Sequence, residues 1–344
     1  MHKLLSPPNE SDTMDVSSHP VRRHAAVTVL LLGALLAAGS VVAQSFPARP
    51  IRMVVPFSPG GPTDLMARAV GTKAEEFLGQ PITLDFRPGA TAIVGTEAVA
   101  KAAPDGYTLL MAPLSAVAIN PVVYKTLPYN VTRDLAAVTE VLDYGQYLLI
   151  HGGVQAGSVA DLVALARRNP GKITYASTGG GSPAHFGGVM LEDMAGIKMV
   201  HVPYKGSSQG ITDLLAERVD FLITSLASAP TFIKSGKLKV LAYTGEKRSA
   251  LYPDIPTVAE QGYPGYWLGT YYSIWTRAGT PAQYIARMTE DFNRALKDPK
   301  VRSLLEAQDF QVLSNGSPAI VEKRVADETR RWGKLAKQAN IQFD

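Results

Sequence analysis

Two glycine-rich segments carry residue types that hold anions in proteins. The first, "VVPFSPGGPTDLMAR" (54–68), runs from an apolar strand-like stretch through Pro-Gly-Gly into a helical pattern. Glycines leave backbone N–H groups unshielded, and a helix N-terminus adds unpaired donors and a partial positive charge. Taken alone, this segment is explained equally well by a tight turn that needs glycine only for its dihedral angles.

A second segment of the same kind favours the anion site. "YASTGGGSPAHF" (175–186) again joins a strand to a helix, with Ser182 as the expected cap and Pro183 in the first turn. In open α/β sheets, ligands lie beyond the carboxyl ends of the strands, where both loops are expected. The two loops therefore predict a site for a small carboxylate, with these binding residues: Phe57, Ser58, Gly60, Gly61, Thr63, Asp64, Ser177, Thr178, Gly180, Gly181, Ser182 and His185.

Enzyme motifs in the chain are incomplete. Gly206 to Gly210 matches the G-x-S-x-G pattern of hydrolases around Ser208, but no histidine follows that serine, as the triad order requires. Residues 179–184 match a loose dinucleotide pattern without the acidic residue expected about twenty positions later. An exported hydrolase or other enzyme acting on small carboxylates, with Ser208 or Asp64 as the catalytic residue, stays open as the alternative function.

Composition excludes several other classes of site. The 344 residues include no cysteine, so thiol catalysis and thiolate metal sites are excluded. The histidines show no H-x-x-x-H or H-E-x-x-H spacing, and we expect neither a metal nor a cofactor. The net charge of +4 comes from scattered lysines and arginines without a basic block, so nucleic acid is not an expected partner.

The N-terminal region has the pattern of an export signal. Arg22 and Arg23 precede an apolar run over 25–38, and the small-residue ending at Ala43 is typical of a cleavage site. We therefore expect a signal peptide over 1–43, cleavage after Ala43 and a periplasmic protein. A retained membrane anchor is the alternative interpretation.

The remaining chain alternates short apolar runs with helical patterns, which is typical of an α/β fold with parallel sheets. The alternation occurs twice, and it predicts two lobes, each a mainly parallel sheet flanked by helices. We assign 44–143 plus 266–344 to lobe 1 and 144–265 to lobe 2. After a last strand following Gly269 we expect two amphipathic helices, one opening at Thr280-Pro281 and one over about 318–340.

These segments resemble the Bug receptors, which are the solute-binding receptors of tripartite tricarboxylate transporters. The resemblance covers nearly all of the predicted mature chain and includes "PARPIRMVVPFSPGGPTDLMAR", "AAPDGYTLLM", "PGKITYASTGGGSPAHF", "HVPYKGSSQGITDLLAERVD" and "LYPDIPTVAEQGYPGY". It implies a two-lobed, type II-like periplasmic binding protein with crossovers near 143–145 and 262–269. In such receptors the loop after the first strand, here 57–64, holds one carboxylate of the ligand, and a loop of the second lobe, here 177–182, closes on it.

The resemblance also implies a partner and leaves some residues undefined. We expect a monomer that hands a mono- or dicarboxylate to the membrane permease subunits of the transporter, or reports it to a sensor protein. The chain departs from the usual family pattern at Tyr271, Ser273 and Thr276-Arg277. We expect Tyr271, Tyr272 and Trp275 to lie in the core or the cleft wall.

Overall fold

A computed structural model describes residues 46–338 and 341–344, so the predicted signal peptide lies outside the described residues. The strands of this part are β1 (Ile51–Val55), β2 (Ile82–Phe86), β3 (Thr108–Pro113), β4 (Leu135–Gly145), β5 (Tyr147–His151), β6 (Thr174–Ser177), β7 (Val200–Pro203), β8 (Phe221–Thr224), β9 (Leu238–Tyr243), β10 (Gly269–Arg277) and β11 (Gln311–Val312). They form a six-stranded sheet in the order β11-β4-β10-β3-β1-β2 and a five-stranded sheet in the order β7-β6-β8-β5-β9.

The helices lie between and after these strands. They are α1 (Pro62–Leu78), α2 (Ile93–Ala100), α3 (Asn120–Val123), α4 (Val131–Asp134), α5 (Val159–Arg168), α6 (Pro183–Ala195), α7 (Ser207–Leu215), α8 (Pro230–Lys234), α9 (Ala282–Lys297), α10 (Pro299–Glu306) and α11 (Pro318–Gln338). A π-helical turn covers Ser115–Ile119 and a 3₁₀ turn covers Leu226–Ser228. Among the described residues, no helix is both long and apolar enough to cross a bilayer.

The predicted two-lobed α/β fold is confirmed, but both sheets are mixed instead of mainly parallel. Strand β1 is parallel to β2 and β3, and β6 is parallel to β7 and β8. The chain leaves the first sheet through β4 and β5 and returns through β9 and β10. Because the outgoing and returning segments lie side by side, β10 is antiparallel to β4 and β9 is antiparallel to β5.

Local sequence signals fix the helices that follow the two glycine-rich loops. Helix α1 starts with Pro62 directly after Gly61 and ends at Gly79, whose φ of 72° places it in the left-handed conformation that glycine favours. Helix α6 has Ser182 as N-cap, with the Ser182 side chain accepting a hydrogen bond from the His185 N–H, and it ends at Gly196. The start of α6 at Ser182 and Pro183 is therefore as the sequence indicated, and α1 starts at Pro62 after Gly61 as N-cap.

The region after β10 differs from the expectation of two helices. Three helices follow, because Asp298 interrupts the helical pattern and caps α10 by accepting hydrogen bonds from the N–H groups of Lys300 and Val301. Helix α9 starts at Ala282, with Pro281 at the N-cap position and not at the first helical position.

Helix α11 joins the first sheet to the second lobe. The Trp332 side chain is fully buried and meets Phe186 of α6 edge-to-face, with ring centroids 4.9 Å apart. On the same helix, Arg324 pairs with Glu140 and Asp143 of β4 at 3.1 and 2.8 Å. The helix therefore contacts both lobes through one aromatic contact and one ion-pair cluster.

Replacing Trp332 by alanine should lower the free energy of unfolding by about 3–5 kcal/mol, because it empties a packed site. Urea unfolding followed by circular dichroism measures the change. Ile320→Ala on the same helix is the matched control. Its side chain is 46% exposed, so it should change stability by less than about 0.5 kcal/mol. Equal effects of the two substitutions would contradict the packing role of Trp332.

Candidate ligand-binding site

A small cavity lies between the two lobes, at the ends of strands from both sheets. Its volume is about 40 Å³, which is enough for about three water molecules. Its lining consists of Phe57, Ser58, Gly61, Pro62, Thr63, Pro113, Ser115, Tyr144, Gln146, Thr178, Pro183, Ala184, Ser207, Ile223, Thr224, Thr270 and Tyr272.

Three helices begin at this cavity. Pro62 and Thr63 belong to the first turn of α1, Pro183 and Ala184 to that of α6, and Ser207 is the first residue of α7. The first turn of a helix has N–H groups without intrahelical acceptors and carries a partial positive charge. Convergence of three such ends makes the cavity electrostatically suited to an anion.

No charged side chain lines this cavity in the part of the chain that the structure describes. The polar lining consists of hydroxyl groups, one amide side chain and backbone groups. Such neutral donors hold a carboxylate without the desolvation penalty of burying a lysine or arginine. The Tyr272 hydroxyl lies 2.8 Å from Thr63 Oγ1, and burial raises the pKa of Tyr272 to about 12, so this phenol stays neutral.

The first predicted loop contributes four of its six candidate residues to the lining: Phe57, Ser58, Gly61 and Thr63. Gly60 and Asp64 lie outside it. The Gly60 N–H donates to Asp64 Oδ2 at 2.9 Å, and Arg68 Nε lies 2.6 Å from the other carboxylate oxygen. Asp64 therefore stabilises the loop through a hydrogen bond within it, and the Gly60 N–H already donates to this carboxylate.

The second predicted loop contributes only Thr178 of its six candidates. Ser177 Oγ lies 2.5 Å from His201 Nε2, and the Gly181 N–H donates to His185 Nδ1 at 3.1 Å. The Ser182 side chain caps α6. These bonds of Ser177, Gly181, Ser182 and His185 hold the loop in shape. The two residues after Ser182, Pro183 and Ala184, line the cavity instead.

Gly180 and Gly181 face the first lobe away from the cavity. The Gly180 carbonyl accepts hydrogen bonds from Thr91 Oγ1 at 2.7 Å and from the Tyr124 hydroxyl at 3.3 Å. A Cβ on Gly180 would lie 3.1 Å from the Phe343 ring. These glycines allow a close approach between the lobes, which is a different role from the ligand contact predicted for them.

The lobes also touch on the other side of the cavity. Ser208 Oγ donates to the Pro59 carbonyl at 3.3 Å, and the Ser58 N–H approaches the Lys205 carbonyl at 3.4 Å. Ser208, the nucleophile of the alternative hydrolase reading, therefore contacts backbone of the opposite lobe. Within the described residues no three histidine or acidic side chains are grouped to hold a metal.

Twelve lining residues were not among the predicted binding residues, and of these only Tyr272 was expected in the core or the cleft wall: Pro62, Pro113, Ser115, Tyr144, Gln146, Pro183, Ala184, Ser207, Ile223, Thr224, Thr270 and Tyr272. Ser207 had a usable signal, because the "KGSSQG" junction repeats the pattern of a strand, a glycine and a hydroxyl residue before a helix. Tyr144, Gln146 and Thr270 lie on the two segments that cross between the lobes. Their position depends on strand register, which no local pattern of the sequence reveals.

Tyr271, Tyr272 and Trp275 occupy different environments along β10. Tyr272 lines the cavity, while Trp275 is buried and donates from Nε1 to Ser273 Oγ at 2.8 Å. Tyr271 is buried beneath Arg324, whose guanidinium carbon lies 4.5 Å from the centre of the Tyr271 ring. Residues one position apart on a strand point to opposite faces, which explains this division.

A larger cavity of about 750 Å³ lies behind the crossing segments. Several of its charged groups contact the protein itself: Arg324 pairs with Asp143, and Asp309 accepts hydrogen bonds of 2.5 Å from Tyr147 and Ser249. Among the described residues, no long helix directs its N-terminus there in the way that α1, α6 and α7 reach the small cavity. We therefore take the small interlobe cavity as the candidate site.

Two histidines stack behind the second loop. The rings of His185 and His201 are 4.0 Å apart and nearly parallel, at 18°. Burial, together with the charge of His201, lowers the pKa of His185 to about 3, and burial lowers the pKa of His201 to about 4. Both imidazoles are therefore neutral at pH 7, which lets His185 Nδ1 accept the Gly181 N–H.

Comparison with known proteins gives consistent matches. The family model described as tripartite tricarboxylate transporter family receptor matches residues 66–341. The solved periplasmic binding protein BugD is 31% identical and superposes with a TM-score of 0.83, covering 86% of this chain and 99% of that protein.

Two further solved structures contain organic acids. An R. palustris protein solved with adipate is 32% identical, with a TM-score of 0.83 over 86% of this chain and 99% of that one. MatC from Rhodopseudomonas palustris, solved with bound malate, is 27% identical, with a TM-score of 0.80 over 84% of this chain and 99% of that one.

The stacked histidines predict a dependence of stability on pH. In the unfolded chain both imidazoles take up protons below pH 6.5, whereas in the folded protein they stay neutral until the pH approaches 4. Because the unfolded state binds more protons in this window, the free energy of unfolding should fall as the pH is lowered from about 6.5 to 4. Urea unfolding at a series of pH values measures this slope.

The double variant His185→Gln/His201→Gln should show a shallower slope over the same range, and each single variant an intermediate one. Slopes identical to that of the wild type would contradict the assignment of the pH dependence to this pair.

Proposed function

Because this chain belongs to the family of tripartite tricarboxylate transporter receptors, which are periplasmic solute-binding proteins and not enzymes, we propose that it binds a small organic acid between its two lobes. The observation that carries the proposal is the meeting of three helix N-termini at a cavity without a charged side chain. This arrangement favours an anion that accepts several hydrogen bonds at once, and a carboxylate is such a group.

The proposed carboxylate position lies between the first turns of α1 and α6. We assign it to Gly61, Thr63, Thr178, Ala184 and Ser207, whose backbone or hydroxyl groups line that end of the cavity. Gly60, Asp64, Ser177, Ser182 and His185 support these residues through the hydrogen bonds described above. Adipate and malate in two related structures are carboxylates, which supports the same ligand class for this chain.

Ligand entry requires the lobes to separate. We propose that residues 44–143 plus 266–344 form one lobe and 144–265 the other, with the hinge where the chain crosses between them, near 143–147 and 262–270. The interlobe contacts at Gly180, Ser208 and Ser58 would form on closure and break on opening. The cavity of about 40 Å³ favours short acids.

We extend the proposal to a physiological setting that the family suggests. A monomeric receptor, exported to the periplasm by a signal peptide that is cleaved after Ala43, would deliver the acid to the permease subunits of a tripartite transporter. Reporting the acid to a sensor protein is the other role consistent with the same site.

A thermal-shift screen with short mono- and dicarboxylates tests the binding function. At about 100 times its dissociation constant, a true ligand should raise the melting temperature by about 5 °C, because it binds only the folded state. Calorimetry on the best acid then gives its affinity. Absence of a shift with every acid would contradict the proposed function.

The variant Gly61→Val ties this binding to the site. Gly61 has a φ of −97°, which any residue adopts, but a Cβ there would lie 3.1 Å from Ser207 Oγ on the opposite lobe. The variant should fold and bind the acid about tenfold more weakly or worse, since crowding opposes closure. Gly152→Val is the control, because its nearest atom would be 3.8 Å away and it lies outside the cavity lining. Unchanged affinity in Gly61→Val would exclude this loop from the site.

A further inference from the structure

One polar atom at the interlobe cavity has no partner. Gln146 is 9% exposed, lines the cavity and connects β4 to β5. Its side-chain Oε1 is buried and receives no hydrogen bond from any residue that the structure describes. A buried acceptor without a donor costs free energy in the folded state, so a donor from a ligand would be favourable.

Neighbouring groups fix the orientation of this amide. The Gln146 N–H donates to Thr244 Oγ1 at 2.8 Å, which holds the backbone in place. Burial raises the pKa of the neighbouring Tyr144 phenol well above its usual value, and the Gln146 side chain opposes this shift, as an amide NH₂ that donates to the phenol oxygen does. With the NH₂ group directed to Tyr144, the acceptor Oε1 is the part of the amide that still requires a partner.

The lining around Gln146 restricts what that partner is. A second carboxylate on the ligand would place its acceptor oxygens against the acceptor Gln146 Oε1. An alkyl end would leave Oε1 unsatisfied. An ammonium would donate, but no acidic side chain among the described lining residues balances its charge. A hydroxyl group donates a hydrogen bond and adds no charge, so it satisfies both conditions.

Resting on the proposed function, we propose that the ligand is a short hydroxymonocarboxylate whose hydroxyl group donates to Gln146 Oε1. Its carboxylate lies at the N-termini of α1 and α6, and its hydroxyl group lies at the wall formed by the crossing segments. Gln146 then determines which chemical group is bound at the end of the ligand opposite the carboxylate. The same residue disfavours a dicarboxylate of equal length.

Matched acids of equal chain length test the selection on the wild-type protein. The three-carbon set is 3-hydroxypropionate, propionate, malonate and β-alanine, and the four-carbon set is 4-hydroxybutyrate, butyrate, succinate and 4-aminobutyrate. In the set whose length fits, calorimetry should give the hydroxy acid an affinity about tenfold higher than the other three.

The variant Gln146→Met keeps the side-chain length and removes the acceptor. It should bind the hydroxy acid about tenfold more weakly while its affinity for the unsubstituted acid stays within about twofold. Gln155→Met is the matched control, because Gln155 is exposed and lies outside the cavity lining. Circular dichroism verifies that both variants fold. If Gln146→Met does not fold, the affinities of the matched acids for the wild-type protein decide whether the hydroxy acid is preferred.

The outcomes separate this inference from the proposed function. If a dicarboxylate, an alkyl acid or an amino acid of equal length binds as tightly as the hydroxy acid, the inference is wrong and carboxylate binding stands. An unchanged preference in a folded Gln146→Met variant also overturns it. If no acid of either set or of the wider screen binds, the proposed function fails, and this inference fails with it.

Discussion

The proposed anion site depends on one arrangement: three helix N-termini meet at a cavity whose described lining includes no positive side chain. Helices α1, α6 and α7 start at this cavity, and their first turns supply partial positive charge that is fixed in position. A lysine or arginine would need its own counter-charge or solvation when the site is empty, whereas helix termini do not. The two sheets, the prolines at the helix starts and the contacts between the lobes all serve to bring these termini together.

Hydrogen bonds within the protein hold both loops in shape. Asp64 binds the Gly60 N–H, and Ser177 contacts His201 while His185 accepts the Gly181 N–H. These bonds consume donors that the sequence pattern assigned to the ligand, yet they hold the remaining donors in one geometry. Such preorganisation raises affinity, because the entropy cost of ordering the loops arises during folding and not during binding. The neutral state of His185, maintained by burial, is part of this arrangement.

Local signals in the sequence predicted the parts of the fold that depend on neighbouring residues. Ser182 and Pro183 marked the start of α6, and the alternation of strands and helices indicated two α/β lobes. The antiparallel pairing of β5 with β9 and of β10 with β4, and with it the place of Tyr144, Gln146 and Thr270 at the cavity, was not predictable, because it depends on contacts between segments about 100 residues apart. His185 was placed in the right loop, but its ring turns inward to stack on His201, a contact fixed only by the packing of β6 and β7 against α6.

A crystal structure of the protein with its acid bound would test the central claim most directly. We predict one carboxylate within about 3 Å of donors from Thr63, Thr178 and Ala184, at the N-termini of α1 and α6. Density for the acid in the larger cavity beside Arg324 and Asp309, or a carboxylate held mainly by a lysine or arginine side chain, would contradict the account.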